Sequence, residues 1–134
     1  MKTIALIEKG KDGMYTIFTP EIQSYIIGIG NTVEEAKLDF ENSVKEVVES
    51  YEENNEKLPY ELVNISFEYK YDIASLFNFF DWINVSKFAK KAKINDSLMR
   101  RYRSGEYISL KQVTKIENAL QELGKEISGI KLTV

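Results

Sequence analysis

The chain has 134 residues and is 43% hydrophobic, enough for a packed core in one domain or two small ones, so disorder is not the expectation. It contains no Cys and no His, which removes disulfides, thiol nucleophiles, the commonest metal ligand and the commonest neutral-pH general base. The net charge of −3 hides a division: residues 1–70 hold 7 Lys and no Arg against 14 Asp and Glu, whereas residues 71–134 hold 8 Lys and 3 Arg against 7.

Five uncharged residues separate Lys2 from Glu8, too few for a signal-peptide core, and no later stretch reaches the ~20 apolar residues of a membrane span. A cytoplasmic protein with no membrane association is expected. Ile4, Leu6 and Ala5, Ile7 make a short first strand that is apolar on both faces. A turn over Glu8–Gly13 follows. The β-rich run Met14–Thr19 ends at Pro20, and Ser24–Ile29 forms a third strand closed by Gly30 and Asn31. On this reading the interiors of the first three strands contain no acid, and Glu8, Asp12 and Glu21 lie at ends and turns. Two-metal nuclease chemistry needs several carboxylates converging on one point, so the acidic half is read as non-catalytic and free of metal and cofactor. Gly28 and Gly30 are read as strand-end and turn glycines, because Val33 stands where G-x-G-x-x-G needs its third Gly.

Thr32-Val33-Glu34-Glu35 is a capping box. The helix it opens carries Val33, Ala36, Phe40, Val44, Val47 and Tyr51 as one apolar stripe, with Glu46, Glu49 and Glu53 among the acids of its other face. "ENNEKLP" ends it. Val63, Ile65, Phe67, Tyr69 and Tyr71 then alternate with polar residues, as a half-buried strand does. The order is β-β-β-α-β, a sheet with one helix across it. "DGMYTIFTPE…GIGNTVEEA…LP", from Asp12 to Pro59, resembles the HicB antitoxin domain through Asp12, Gly13, Tyr15, Pro20, Glu21, Gly30, Thr32, Glu35 and Ala36. The family has Asp after the Pro and Gly-Cys before the third strand, where this chain has Glu21 and Gln23-Ser24. The resemblance implies a partial ribonuclease-H-like fold without nuclease activity, which binds and silences a small toxin ribonuclease of the HicA kind.

In the basic half, Ile73, Leu76, Phe77 and Phe80 start a helix near Asp72, and Trp82 and Ile83 interrupt it. Asn84 caps a short helix with Val85, Phe88, Ala89 and Ala92 on one face. Asn95 caps the next, with Met99 and Tyr102 inward and Leu98 beside them. Gly105 ends that helix. Ser109 opens a last helix that is expected to bury Leu110, Val113, Ile116, Leu120 and Leu123 and to stop at Gly124. Two short helices joined by a tight turn in a four-helix core suggest a helix-turn-helix domain, and this half resembles the Xre/Cro-like regulators over residues 73–123. Those regulators have Gly at the turn, where Lys93 stands here at a cost of roughly 1 kcal/mol.

The expected architecture is therefore α+β, with an acidic HicB-like domain over 1–71 and a basic helix-turn-helix domain with a C-terminal tail over 72–134. All three arginines, Arg100, Arg101 and Arg103, fall within four residues of the expected recognition helix. Asn95, Ser97, Arg100, Arg101 and Arg103, with Lys87, Lys93 and Lys111, are the expected contacts to operator DNA; Lys90 and Lys91 would add phosphate contacts. The competing reading is a solubilising basic face, or arginines that pair with the acidic half. Glu46, Glu49 and Glu53 are the expected contacts to a basic toxin. The expected function is an antitoxin that also represses its own operon, acting as a homodimer or higher even oligomer joined through residues 124–134, since one helix-turn-helix reads only a half-site. The other readings are a stand-alone Xre-like regulator whose first domain senses a ligand or dimerises, and a hydrolase. Ile130, Leu132 and Val134 alternate with Lys131 and Thr133, as a strand joining a sheet in this chain or in a second copy would, or a frayed tail.

Overall fold

A computed structural model describes all residues from Met1 to Val134. It is an α+β chain of two compact units, residues 1–79 and 80–134. The first contains β1 (Lys2–Lys9), β2 (Tyr15–Phe18), β3 (Ile27–Gly30), α1 (Val33–Glu53), a single 3₁₀ turn (Tyr60–Leu62), β4 (Ser66–Tyr71) and α2 (Ile73–Phe79). The second contains α3 (Val85–Ala92), α4 (Asp96–Arg103) and α5 (Leu110–Ser128).

The four strands form one mixed sheet in the order β3-β2-β1-β4. β1 pairs antiparallel with β2 and parallel with β4. Strand alternation then sorts the side chains. Ala5, Ile7, Tyr15 and Ile17 face α1 and form the core with Val33, Ala36 and Phe40 of that helix. Phe40 is fully buried and meets the Phe67 ring edge-on at 4.9 Å. Burying one such side chain contributes about 1.5–3 kcal/mol.

Several expected boundaries move. β1 runs through Glu8 and Lys9, so Glu8 lies inside a strand, paired with Thr16, and the turn is confined to Gly10–Gly13. β3 starts at Ile27, because Ser24–Ile26 hydrogen-bond elsewhere: the Ser24 carbonyl and the Ile26 N–H both engage the Thr19 hydroxyl. β4 starts at Ser66, three residues after Val63. Leu62 fills the core instead, Val63 is exposed, and Asn64 breaks the strand with φ of 50°. Glu35 does reach back across the α1 N-terminus, but to the Asn31 N–H at 2.9 Å, one residue before the cap.

Gly28 and Gly30 also serve differently from the expectation. Neither has a positive φ. A Cβ on Gly28 would stand 2.3 Å from the Phe40 backbone nitrogen, and one on Gly30 would stand 2.5 Å from that of Ala36. They let α1 lie directly on the backbone of β3.

α2 belongs to the first unit, so the boundary falls after Phe79 and three helices, not four, make the second. The Lys9 N–H donates to the Ser75 hydroxyl at 3.0 Å, and the Phe79 ring stacks on Tyr71 at 5.8 Å. In the second unit Phe88, Ala89, Ala92, Ile94, Met99, Tyr102, Ile116 and Ala119 are buried. Two expectations fail on α5. Leu110 is 80% exposed, because it sits in the first turn, and Gly124 lies inside a helix that continues to Ser128. Residues 130–134 take no regular structure and do not join the sheet.

Candidate functional site

α3 and α4 are joined by a tight connection that depends on Lys93. Its φ of 59° places it in the left-handed region, where its N–H returns to the carbonyls of Ala89 and Lys90. Ile94 then drops into the core, 5% exposed, and Asn95 starts α4. The Asn95 Oδ1 accepts from the Ser97 N–H at 2.9 Å and from the Ser97 hydroxyl at 2.7 Å. Asn95 and Ser97 therefore cap the helix, and of the Asn95 side chain only the amide NH₂ stays uncommitted by the cap.

Met99 and Tyr102 anchor α4, at 0% and 8% exposure, so Ser97, Arg100, Arg101, Arg103 and Ser104 lie on its exposed side. Two of the arginines carry intramolecular partners. Arg100 pairs with Asp96 one turn earlier, and the Arg101 Nε donates to Glu106 at 2.7 Å. Both acids belong to the second unit, so the pairing is local and does not reach the acidic half. Arg103 forms no ion pair. The Ser86 hydroxyl and then the Arg100 guanidinium hold the Asp96 carboxyl below its usual range. Asp96 Oδ1 is buried and has no hydrogen-bond partner.

The lysines are dispersed. Lys87 lines an apolar groove of about 230 Å³ with Trp82, Phe88 and Leu123. Lys93 lines a groove of about 200 Å³ with Lys115 and Glu122. Lys90 and Lys111 are exposed. Lys91 is committed to Glu126 at 2.7 Å, and that hydrogen bond raises its pKa. Asp96 and Glu106 are the residues that pattern reading missed. Asp96 carried a signal, being four residues before Arg100, the spacing of a helical ion pair.

In the first unit, Glu46, Glu49 and Glu53 are exposed along the second half of α1, which rises between two open grooves. Glu46 lines a groove of about 570 Å³ with Tyr25, Ile27, Val47 and Tyr51. Glu49 lines one of about 520 Å³ on the other flank, with Val44, Val48, Leu58 and Ile65. Glu53 lines neither. The three carboxylates form the crest of a ridge whose two flanks mix apolar side chains with polar ones such as Ser43, Ser50, Lys45 and Asn64. Nearer the helix start, the Tyr69 hydroxyl donates to Glu41 at 3.3 Å, and burial together with that carboxylate pushes the phenol pKa up to about 12.

Carboxylates also meet at the C-terminal ends of β1 and β4. Glu8 and Asp72 stand side by side, and burial, then the Asp72 charge, raises the Glu8 pKa. No third ligand joins them: no group of three or more His, Cys, Asp or Glu side chains is placed to hold a metal ion. No helix is long and apolar enough to cross a membrane. No family model, curated protein or solved structure matches the chain.

Proposed function

We propose that the chain is a HicB-like antitoxin and autorepressor: the first unit, a partial ribonuclease-H-like domain, binds a small basic toxin ribonuclease, and the second, a helix-turn-helix, binds operator DNA. The observation that carries the reading is the exposed side of α4. It gathers every arginine of the chain opposite the buried Met99 and Tyr102, after a tight left-handed connection from α3. Arginine suits both guanine edges and phosphates, because its planar fork donates two parallel hydrogen bonds. The Asp96 and Glu106 pairs hold two of these forks in place; DNA phosphate or base acceptors would replace them.

The toxin contact rests on the resemblance and on charge. The α1 ridge presents Glu46, Glu49 and Glu53 beside grooves that mix apolar and polar side chains, a surface suited to a cationic protein. No catalytic role is assigned, and protein and DNA are the partners. The test is twofold. Binding to the protein's own promoter fragment is compared with binding to random DNA across a salt series, and the chain is isolated from its native operon to see whether a small basic protein accompanies it. Equal affinity for both DNAs at every salt concentration would remove the operator assignment. Loss of the second chain with promoter binding intact would leave a stand-alone regulator.

A further inference from the structure

α1 and the core lie on one face of the four-stranded sheet, and no helix of the first unit covers the other. Strand register assembles that open face. Leu6, Phe18 and Ile27 form one cross-strand row, ending on β4 at Lys70. Ile4 and Ile29 flank it, and the Tyr25 ring lies 6.0 Å from that of Phe18. None of these side chains joins the buried core cluster. Ile27 and Ile29 are 37% and 48% exposed. A contiguous apolar block on an exposed sheet face signals an interface.

We propose that this open face docks against the same face of a second copy of the chain. Charge selects the occupant. The rim carries Lys2 and Lys70 beside Glu8, Glu68 and Asp72, so both signs are present and two-fold pairing can set the lysines of one copy against the acids of the other. Elsewhere the first unit is strongly acidic, and two copies meeting along α1 would set Glu46, Glu49 and Glu53 against their equivalents. A basic partner finds a single acid in excess on the sheet, whereas three crown the ridge. Face-to-face sheets pack about 10 Å apart, with strands inclined by roughly 30°. That arrangement points the two acidic ridges outward, with both sheets between them, well beyond a Debye length of about 8 Å. Two-fold pairing also makes the contact isologous and closed, so it stops at a dimer. The inference concerns the first unit alone and stands whether or not the second binds DNA.

The test is sedimentation of the full chain with two variants. The parent is expected to be a dimer. Ile27→Lys combined with Ile29→Lys is expected to sediment at half the parent's mass with its helical circular dichroism retained, since both side chains are already partly in water. A chain ending at Gly129, without Ile130–Val134, is expected to remain dimeric. If the double variant unfolds, Thr16→Cys carries the test in its place. Thr16 stands in the row between Glu8 and Ile29 on the same face, and the chain has no other thiol. The reaction of the Thr16→Cys variant with a thiol reagent should slow several-fold as protein concentration rises through the association range. A monomeric parent at the highest soluble concentration, a double variant that stays folded and dimeric, a shortened chain that turns monomeric, or a Thr16→Cys labelling rate independent of concentration would each overturn the proposal.

Discussion

Gly28 lies so close under Phe40 that a methyl group on it would stand 2.3 Å from the Phe40 backbone nitrogen. This contact sets the height of α1 above β3, and through it the seating of the fully buried Phe40. Gly28→Ala should therefore destabilise the first unit by roughly 1–3 kcal/mol, the usual cost of forcing extra volume into a packed layer. The backbone there is extended, so φ contributes nothing to the loss. A urea titration reads the effect as a lower midpoint with little change in slope. An unchanged midpoint would mean that α1 rides higher than the structure places it.

Glu8 is expected to work against stability at neutral pH. Burial first, and the Asp72 charge second, raise its pKa above the ordinary value of 4.5. The folded chain then holds a proton that the unfolded chain has released, so stability falls as pH rises through the interval between the two values and stays lower above it. Glu8→Gln should unfold at a higher temperature than the parent at neutral pH. The difference should vanish below pH ~4, where both chains are uncharged at this position. Thermal melts across that range decide it, and a difference that is constant with pH would contradict the assignment.

What was legible in the chain follows the strength of local pattern. The α1 stripe and its Thr32 cap were readable because period and cap agree, and Thr32 Oγ1 does accept from the Glu35 N–H at 3.1 Å. The Asn95 cap, the inward Met99 and Tyr102, and the left-handed Lys93 were readable for the same reason. Long-range packing was not. The alternation from Val63 to Tyr71 carries no mark of the break at Asn64, and Leu62 takes the core place only because a 3₁₀ turn delivers it there. Glycine defaults to a turn reading, so the close approach at Gly28 and Gly30 is visible only once α1 is placed. The Arg101–Glu106 pair spans five residues across a helix end, a spacing that no helical period suggests.

Gly124 offers a gain rather than a loss. It sits inside α5, its φ is not positive, and nothing lies within 4 Å of the position a Cβ would take. Alanine there keeps the helix and removes the unfolded-state freedom of glycine. Gly124→Ala should stabilise the second unit by about 0.5–1 kcal/mol. Calorimetry should record the shift in whichever transition belongs to α5.

Charge reversal on the ridge tests the partner surface apart from the fold. Glu46→Lys, Glu49→Lys and Glu53→Lys together remove the crest while sparing Val44, Val47 and Tyr51, which pack against the core. The melting temperature should hardly move. Association with a small basic partner should slow by at least roughly tenfold at low salt, and its salt dependence should flatten. Stopped-flow measurement of the association rate distinguishes this from a slower dissociation. An unaltered rate would place the contact elsewhere on the first unit.

The α4 arginines give the sharpest separation between reading bases and gripping phosphates. Arg100→Ala and Arg101→Ala, made singly, should both fold, because each side chain is exposed and its ion pair is a surface one. If either reads a guanine, its loss should cost about 1–3 kcal/mol at the promoter site and relax the preference at one base pair. If it touches only phosphate, affinity should fall alike on promoter and random DNA, with the salt slope smaller by about one. Asp96→Asn removes the carboxylate that competes for Arg100, so it should strengthen binding on both DNAs and most at low salt. Met99→Ala is the folding control: its side chain is fully buried, and the cavity should destabilise the second unit by roughly 2–5 kcal/mol. A salt series of fluorescence anisotropy on the two DNAs resolves the cases. If both arginine variants bind like the parent throughout, α4 is not the recognition helix, and the pairs with Asp96 and Glu106 are the arginines' own purpose.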